Sequence, residues 1–309
     1  MIRTADGIWL SQRQYALDML SKYGMADCKP ISMPLDVNVK LSAHAGDALK
    51  NVTMYRKIVG SLIYLMITRP DLSYTVGLES QFMQAPKKPH LDAVRRTLRY
   101  VRATLDHALF YAAGVPVELY GYTDADWAGS VTDRRSTSGF MFSLGSAAIT
   151  WSSKKQPTVA LSSTEAEYRG AAIATCEVAW LHKLLMDMGM HVDRGVVIYC
   201  DNLSSIQLAR NPVFHARTKH IEVHYHFVRE SRFWLETSTW SMSAQRSRLQ
   251  TSSPRPWELR SSADFVPCLD SLRCRARGGV LRCRALHHEL ALMMGLGDRC
   301  GYLCHRHGW

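Results

Sequence analysis

Two strand-like segments that each end in an acidic residue place the strongest constraint on the fold of this 309-residue chain. Residues 117–123 alternate between apolar and polar and lead into Asp124 and Asp126, and the apolar run 196–200 leads into Asp201. Alternation is typical of a half-buried strand, whereas a short continuous apolar run is typical of a fully buried one. The pattern therefore predicts a sheet in which acidic side chains lie where strands end.

Turn residues and hydrophobic periodicity predict the other elements. Gly145 and Ser146 separate two strand-like segments and indicate a hairpin. A capping sequence at residues 162–167 precedes a helix whose apolar residues recur at three- and four-residue spacing. The predicted strands are 7–11, 117–123, 138–144, 147–152 and 196–200, and the predicted helices are 12–22, 54–66, 71–82, 90–104, 164–188, 204–209 and 219–230.

Acids at strand ends suit metal-dependent hydrolysis. Besides Asp124 and Asp201, Glu167 lies near the start of the long predicted helix. Two divalent ions roughly 4 Å apart can clamp the attacking water and the leaving oxygen of a phosphodiester, and Mg²⁺ prefers oxygen ligands. The pattern alone leaves two interpretations open, a metal site or acids that cap turns.

Five motifs follow one another in a fixed order. They are 121–129 with its continuation 133–139, then 152–156, 162–168, 200–202 and 217–221. Together they resemble the ribonuclease H domain of copia-type retrotransposon Pol polyproteins. The resemblance implies an α/β fold, namely a ribonuclease H-like mixed sheet with flanking helices, over residues 113–230.

The resemblance also implies the ligand set. Asp124, Glu167 and Asp201 take the catalytic metal-ligand roles, with Mg²⁺, or alternatively Mn²⁺, as the cofactor. Glu167 is preferred to Glu165 because Tyr168 and the small residues 170–172 follow it. The fallback acids are Asp126, Glu165 and Glu222.

The implied partner is an RNA–DNA hybrid. Its RNA would be recognised through 2′-hydroxyl groups, and lysines would position the nucleic acid backbone without reading sequence. For Lys154 and Lys155, the alternative interpretation is a solvated loop. The predicted nucleic-acid contacts are Lys154, Lys155, Gln156, Ser163 and Asn202.

Residues 55–65 and 68–72 resemble the last portion of a reverse transcriptase. A Tyr-Val-Asp-Asp-type turn is absent from the sequence, so no polymerase activity is expected. Residues 1–112 are therefore predicted to be a mostly helical thumb or connection remnant that could grip a duplex. The helix predicted at 90–104 is basic and is predicted to touch phosphates, with an ordinary charged surface as the alternative. The cations in and just before this helix are Lys87, Lys88, Arg95, Arg96, Arg99 and Arg102.

The composition changes near Ser231. Residues 231–309 hold twelve Arg, no Lys and six acids, and therefore carry +6 of the net charge of +11, together with five of the eight Cys. In a frame displaced by two bases, compatible codons from Arg232 to Phe265 permit a sequence that resembles the family's missing last strand and helix, including its fourth acid. We hypothesise that residues 231–309 are an out-of-frame, largely irregular tail; a coding DNA whose displaced frame lacks that text would contradict this.

Charge and hydropathy limit the function classes. No apolar run reaches the roughly 20 residues that span a bilayer, and the first residues do not resemble a secretory signal. We therefore expect an intracellular protein, in a cytoplasmic retrotransposon particle or the nucleus, with no membrane partner. The positive net charge favours a polyanionic partner. Three functions stay open: a ribonuclease H impaired by the missing last strand, a catalytically dead nucleic-acid-binding relic, or an interaction module that acts through the tail.

Overall fold

A three-stranded antiparallel sheet pairs strands from both ends of the first 112 residues. The computed structural model describes residues 1–36, 39–190 and 196–210. The strands lie in the order β1 (Ile2–Thr4), β2 (Gly7–Leu10) and β3 (Leu109–Ala112). Of these three strands, only β2 was predicted from the sequence.

Helices form the rest of this region, as predicted. They are α1 (Arg13–Lys22), α2 (Val52–Leu65), a 3-10 turn (Pro70–Leu72), α3 (Ser73–Ser80) and α4 (Lys88–Ala103). Their apolar faces share one buried core, which includes Leu20, Ile58, Leu62, Val94 and Leu98.

A partly buried ion pair in the 3-10 turn is connected by hydrogen bonds to the end of α4. Arg69 Nη2 lies 2.7 Å from Asp71 Oδ2, and Arg69 Nη1 donates a hydrogen bond of 2.9 Å to the carbonyl oxygen of Thr104. The Tyr100 hydroxyl donates to the same Asp71 oxygen over 2.9 Å. Burial alone would raise the pKa of Asp71, but the charge and hydrogen bonds of Arg69 bring it below its ordinary value. Residues 68–72 therefore have a structural role here.

The second sheet is mixed, which confirms the predicted fold class. It comprises β4 (Leu119–Ala125), β5 (Thr137–Leu144), β6 (Ala147–Lys155) and β7 (Val197–Tyr199), in the order β6-β5-β4-β7. β5 is antiparallel to both of its neighbours, β4 and β6, whereas β7 runs parallel to β4. Within residues 113–190 and 196–210, the sheet is accompanied by two helices, α5 (Ser163–Asp187) and α6 (Leu203–Arg210).

The core of this second unit lies between the sheet and α5. Phe140 and Phe142 of β5 and Ile198 of β7 pack with Val178 and Leu181 of the helix. All five side chains are buried, so α5 covers the face of the sheet on which these residues lie.

Contacts join the two sheet regions. The Tyr111 hydroxyl of β3 donates to the carbonyl of Ala148 in β6 over 2.8 Å, and Trp151 Nε1 donates to the carbonyl of Met66 over 3.2 Å. The proposed boundary between residues 112 and 113 stays a prediction.

Several predicted features lie outside the described residues. They are the helix at 219–230, the motif at 217–221, the fallback acid Glu222 and the tail at 231–309. Within the described residues, no helix is both long and apolar enough to cross a membrane.

Candidate metal centre at the edge of the mixed sheet

Asp124 and Asp201 lie at the ends of neighbouring parallel strands. β4 pairs with β7 from Tyr120 opposite Val197 to Tyr122 opposite Tyr199. Continued by two residues, this register sets Asp124 opposite Asp201. Because parallel strands end at the same edge of a sheet, both carboxylates lie at that edge.

Small residues bring Glu167 of α5 to the same place. A Cβ added at Gly170 would lie 3.4 Å from Thr123 Oγ1 and 3.6 Å from Ala125 Cβ, so the helix passes close to β4. One turn earlier, the Glu167 carboxylate accepts a hydrogen bond of 3.1 Å from the backbone N–H of Ala125. The structure therefore brings together the three acids to which the sequence assigned metal-ligand roles.

The three carboxylates interact strongly. Burial, then the negative charges of Asp124 and Asp201, raise the pKa of Glu167 to about 10. A hydrogen bond with Asp124 acts in the same direction. Each of these effects disfavours the ionised form of Glu167, as expected where like charges share a site. A divalent cation at the cluster would offset the repulsion and favour ionised Glu167.

Cys200 is a neighbour of the site that the sequence reasoning missed. The ligand atoms of Glu167, Cys200 and Asp201 all lie within 4.8 Å of one another. Burial raises the pKa of the Cys200 thiol, and the charge of Glu167 adds to the effect. Its position directly before Asp201 is the signal that could have identified it. Because Mg²⁺ takes hard oxygen ligands, the carboxylates and not this thiol match that ion.

The two fallback acids that the structure describes form hydrogen bonds with backbone N–H groups. Asp126 accepts a hydrogen bond from the N–H of Thr137 and so closes the turn between β4 and β5; burial raises its pKa. Glu165 accepts from the N–H of Leu161 over 2.8 Å and pairs with Arg169 at 2.6 Å. These interactions give both acids structural roles.

Two of the predicted nucleic-acid contacts are exposed. They are Lys154 in β6 and Ser163 at the start of α5. Lys155 instead lies 2.8 Å from Asp133 and donates a hydrogen bond of 3.2 Å to Gln81. Its ammonium group therefore has protein partners.

The other two predicted contacts stabilise local structure. Asn202 Oδ1 accepts from the N–H of Ser205 over 2.9 Å and so caps α6. Gln156 is 2% exposed, and its amide donates to Ser138 Oγ over 2.7 Å and to the carbonyl of Ala166 over 2.9 Å. A direct contact between Gln156 and nucleic acid is therefore not supported, since the side chain connects β5 to α5 inside the core.

Two arginines of the basic helix α4 also have protein partners. Arg99 Nε donates to the carbonyl of Lys29 over 2.8 Å, and Arg102 Nε donates to the carbonyl of Ala26 over 2.7 Å. They attach the segment after α1 to α4, and a phosphate contact of this helix stays a prediction.

The fold and the site define a class: an α/β protein in which carboxylates from two parallel strands and one helix meet at the edge of a mixed sheet. The chain is 48% identical over 227 residues to the retrovirus-related Pol polyprotein from transposon RE2 of Arabidopsis thaliana, which covers 74% of this chain and 16% of that protein. It is 43% identical over 237 residues to the retrovirus-related Pol polyprotein from transposon TNT 1-94 of Nicotiana tabacum, covering 74% and 18%. These relatives are retrovirus-related Pol polyproteins of copia-type plant transposons, and the chain is similar to one segment of them over 74% of its own length.

No family model matches the chain. A solved structure of the foamy viral protease-reverse transcriptase in complex with RNA/DNA hybrid has a TM-score of 0.38 at 11% identity and covers 71% of this chain and 28% of that one. The chain spans less than a fifth of the length of the two plant relatives.

Proposed function

We propose that this Pol-derived protein is a metal-dependent ribonuclease that hydrolyses the RNA strand of RNA–DNA hybrids. The observation that carries the proposal is the convergence of Asp124, Glu167 and Asp201 from β4, α5 and the end of β7. Structural ion pairs do not explain this cluster, because its members are like charges that raise the pKa of Glu167.

The donor set fits hard divalent cations. Three carboxylates on separate elements offer oxygen ligands, which Mg²⁺ and Mn²⁺ prefer. When bound, such ions lower the pKa of a water and stabilise the oxygens of an in-line displacement. Asp124, Glu167 and Asp201 would hold them. The Ala125 N–H holds the Glu167 carboxylate toward β4, so this ligand is positioned before any cation arrives.

The expected reaction breaks the bond between phosphorus and the 3′-oxygen of RNA. The oxygen of water forms the new bond to phosphorus and gives a 5′-phosphate, and the departing oxygen takes up a proton to give a 3′-hydroxyl. Recognition of RNA would rest on its 2′-hydroxyl groups. The exposed Lys154 and the net charge of +11 favour binding of the phosphate backbone.

Cleavage of a labelled RNA–DNA hybrid by the purified chain, in Mg²⁺ and in Mn²⁺, tests the proposal. Asp201→Asn and Glu167→Gln should each lose activity by on the order of 100-fold or more, since even outer-shell partners of metal ligands are worth 10- to 100-fold. Asp18→Asn, an exposed aspartate on α1, is the matched control and should cleave normally.

Metal binding can be measured apart from turnover. Mn²⁺ should raise the thermal midpoint of the unsubstituted chain and should not raise that of Asp201→Asn, because a ligand that binds only the folded state stabilises it. Folded protein that binds duplex in a salt-dependent way but does not cleave would instead identify a nucleic-acid-binding relic.

A further inference from the structure

An exposed tryptophan lies beside the carboxylate cluster. Trp127 comes three residues after Asp124, and its side chain is 56% exposed. Its indole Nε1 donates a hydrogen bond of 3.1 Å to the carbonyl of Ala160. Ala160 packs with Ala125, whose N–H donates to Glu167. One edge of the indole is thereby fixed next to the site.

The loop that carries Trp127 is tightly held. Ala128 and Arg134 both have left-handed backbone angles, with φ of 53° and 56°. The Ala128 N–H donates to Ser136 Oγ over 3.1 Å, and the Asp126 carboxylate accepts from the Thr137 N–H. Non-glycine residues persist in this conformation only where the surroundings impose it. The loop therefore presents the indole in one position.

What the indole offers to a ligand is its ring face. The indole N–H already donates to the carbonyl of Ala160, so the N–H is not available to a ligand. Leu161, which is exposed, directly follows the Ala160 that accepts the indole hydrogen bond. Arg134 is exposed in the same loop as the tryptophan, and Lys154 stands two strands across from Ala125, roughly 10 Å away. Aromatic side chains combined with cationic ones are what proteins use to hold single strands of nucleic acid, and the same pair of residue types is available here for a strand of a hybrid.

We infer that Trp127 packs its indole face against a sugar of the hybrid strand that lies over the carboxylates, and so strengthens binding of the hybrid at this site. In a paired hybrid the bases are stacked on one another, which leaves sugars and 2′-hydroxyls as the surface within reach in the minor groove. Lys154 contacts a phosphate of the same strand. This inference rests on the proposed function, because it names a binding residue of the same site.

A second tryptophan provides the control. Trp180 is also 56% exposed, but it lies on α5 thirteen residues beyond Glu167, about 20 Å along the helix. Replacing it removes an equal exposed ring far from the carboxylates.

The experiment compares the unsubstituted chain with Trp127→Ala, Trp127→Phe and Trp180→Ala. Binding of a fluorescein-labelled hybrid is measured by anisotropy in EDTA, and kcat and KM are measured in Mg²⁺. Trp127→Ala should weaken binding and raise KM by on the order of 10-fold with kcat nearly unchanged. Trp127→Phe, which keeps a ring, should recover most of the affinity, and Trp180→Ala should bind normally.

Two results would overturn the inference: equal binding by Trp127→Ala and Trp180→Ala, or a Trp127→Phe that folds normally and binds as weakly as Trp127→Ala. If Trp127→Ala has a lower thermal midpoint than the unsubstituted chain, its binding is not interpreted. The comparison is then made with Trp127→Phe, once its thermal midpoint shows that it folds normally. If the unsubstituted chain binds the hybrid without cleaving it, the proposed function is refuted. The affinities of the variants still test the role of Trp127 in that case. An unsubstituted chain that binds no hybrid would end both.

Discussion

Glu79 is a buried acid whose ionisation should control the stability of the helical region. Its Oε1 accepts a hydrogen bond of 2.6 Å from Thr97 Oγ1, and its Oε2 has no hydrogen-bond partner among the described residues. Burial raises the pKa of this carboxyl from 4.5 to about 8. Because the folded pKa lies above the ordinary one, the protonated carboxyl stabilises the fold fully below pH 4.5. That stability is lost as the pH rises through about 8.

The size of the effect follows from the two pKa values. At about 1.4 kcal/mol per pH unit, the loss is below about 1 kcal/mol at pH 5 and about 4 kcal/mol at pH 8. Glu79→Gln keeps an oxygen that accepts the hydrogen bond from Thr97, and it cannot ionise. Its free energy of unfolding should therefore be higher than that of the unsubstituted chain at pH 8 and nearly equal to it at pH 5.

Urea unfolding followed by circular dichroism at pH 5, 6, 7 and 8 measures this difference. Glu177→Gln is the matched control, because Glu177 also accepts a hydrogen bond from a threonine, Thr150, over 2.8 Å, but in a half-buried place. A Glu79→Gln difference that stays constant from pH 5 to 8 would refute the reasoning. An equally large pH-dependent difference for Glu177→Gln would show that burial is not its cause.

Three further substitutions test the packing and polar contacts. Gly121→Ala should cost about 1–3 kcal/mol in urea unfolding, because the added Cβ would overlap a buried phenylalanine ring opposite it on β5; unchanged stability would contradict that packing. Arg69→Met should cost about 1–3 kcal/mol because it leaves the partly buried Asp71 without its cation, and Arg69→Met with Asp71→Leu should recover part of this; a double variant no more stable than the single one would argue against the pair. Ser162→Ala should cost about 1 kcal/mol by removing the cap of α5, whereas the exposed Ser163→Ala should change stability by less than about 0.5 kcal/mol; equal thermal midpoints for the two would exclude the cap.

The elements of the mixed sheet were predictable because their signals are local. The hairpin between β5 and β6 turns at Gly145, whose φ of 64° favours glycine, and the sequence predicted the turn there. The cap of α5 at Ser162 was likewise recognisable from residue order. Such signals depend on a few consecutive residues, so they survive without knowledge of the tertiary structure.

The environment of single polar side chains was not predictable in the same way. Gln156 follows two lysines, which gave no sign that its amide would be buried between Ser138 and Ala166. Cys200 was likewise taken as the last residue of an apolar strand, although its sulfur lies beside Glu167. Both placements depend on how α5 lies over the sheet, and that is set by residues distant in sequence.

The choice between Glu165 and Glu167 shows how packing assigns roles that spacing cannot. The two acids lie two residues apart on α5, so they point in different directions around the helix. Gly170 lets the following turn approach β4, and the face that meets the strand carries Glu167. Glu165 instead turns to Leu161 and closes the helix cap. A one-residue slip of β7 along β4 would point the Asp201 side chain to the other face of the sheet. The candidate site therefore depends on one strand register and one close helix approach, and not on the number of residues between its acids.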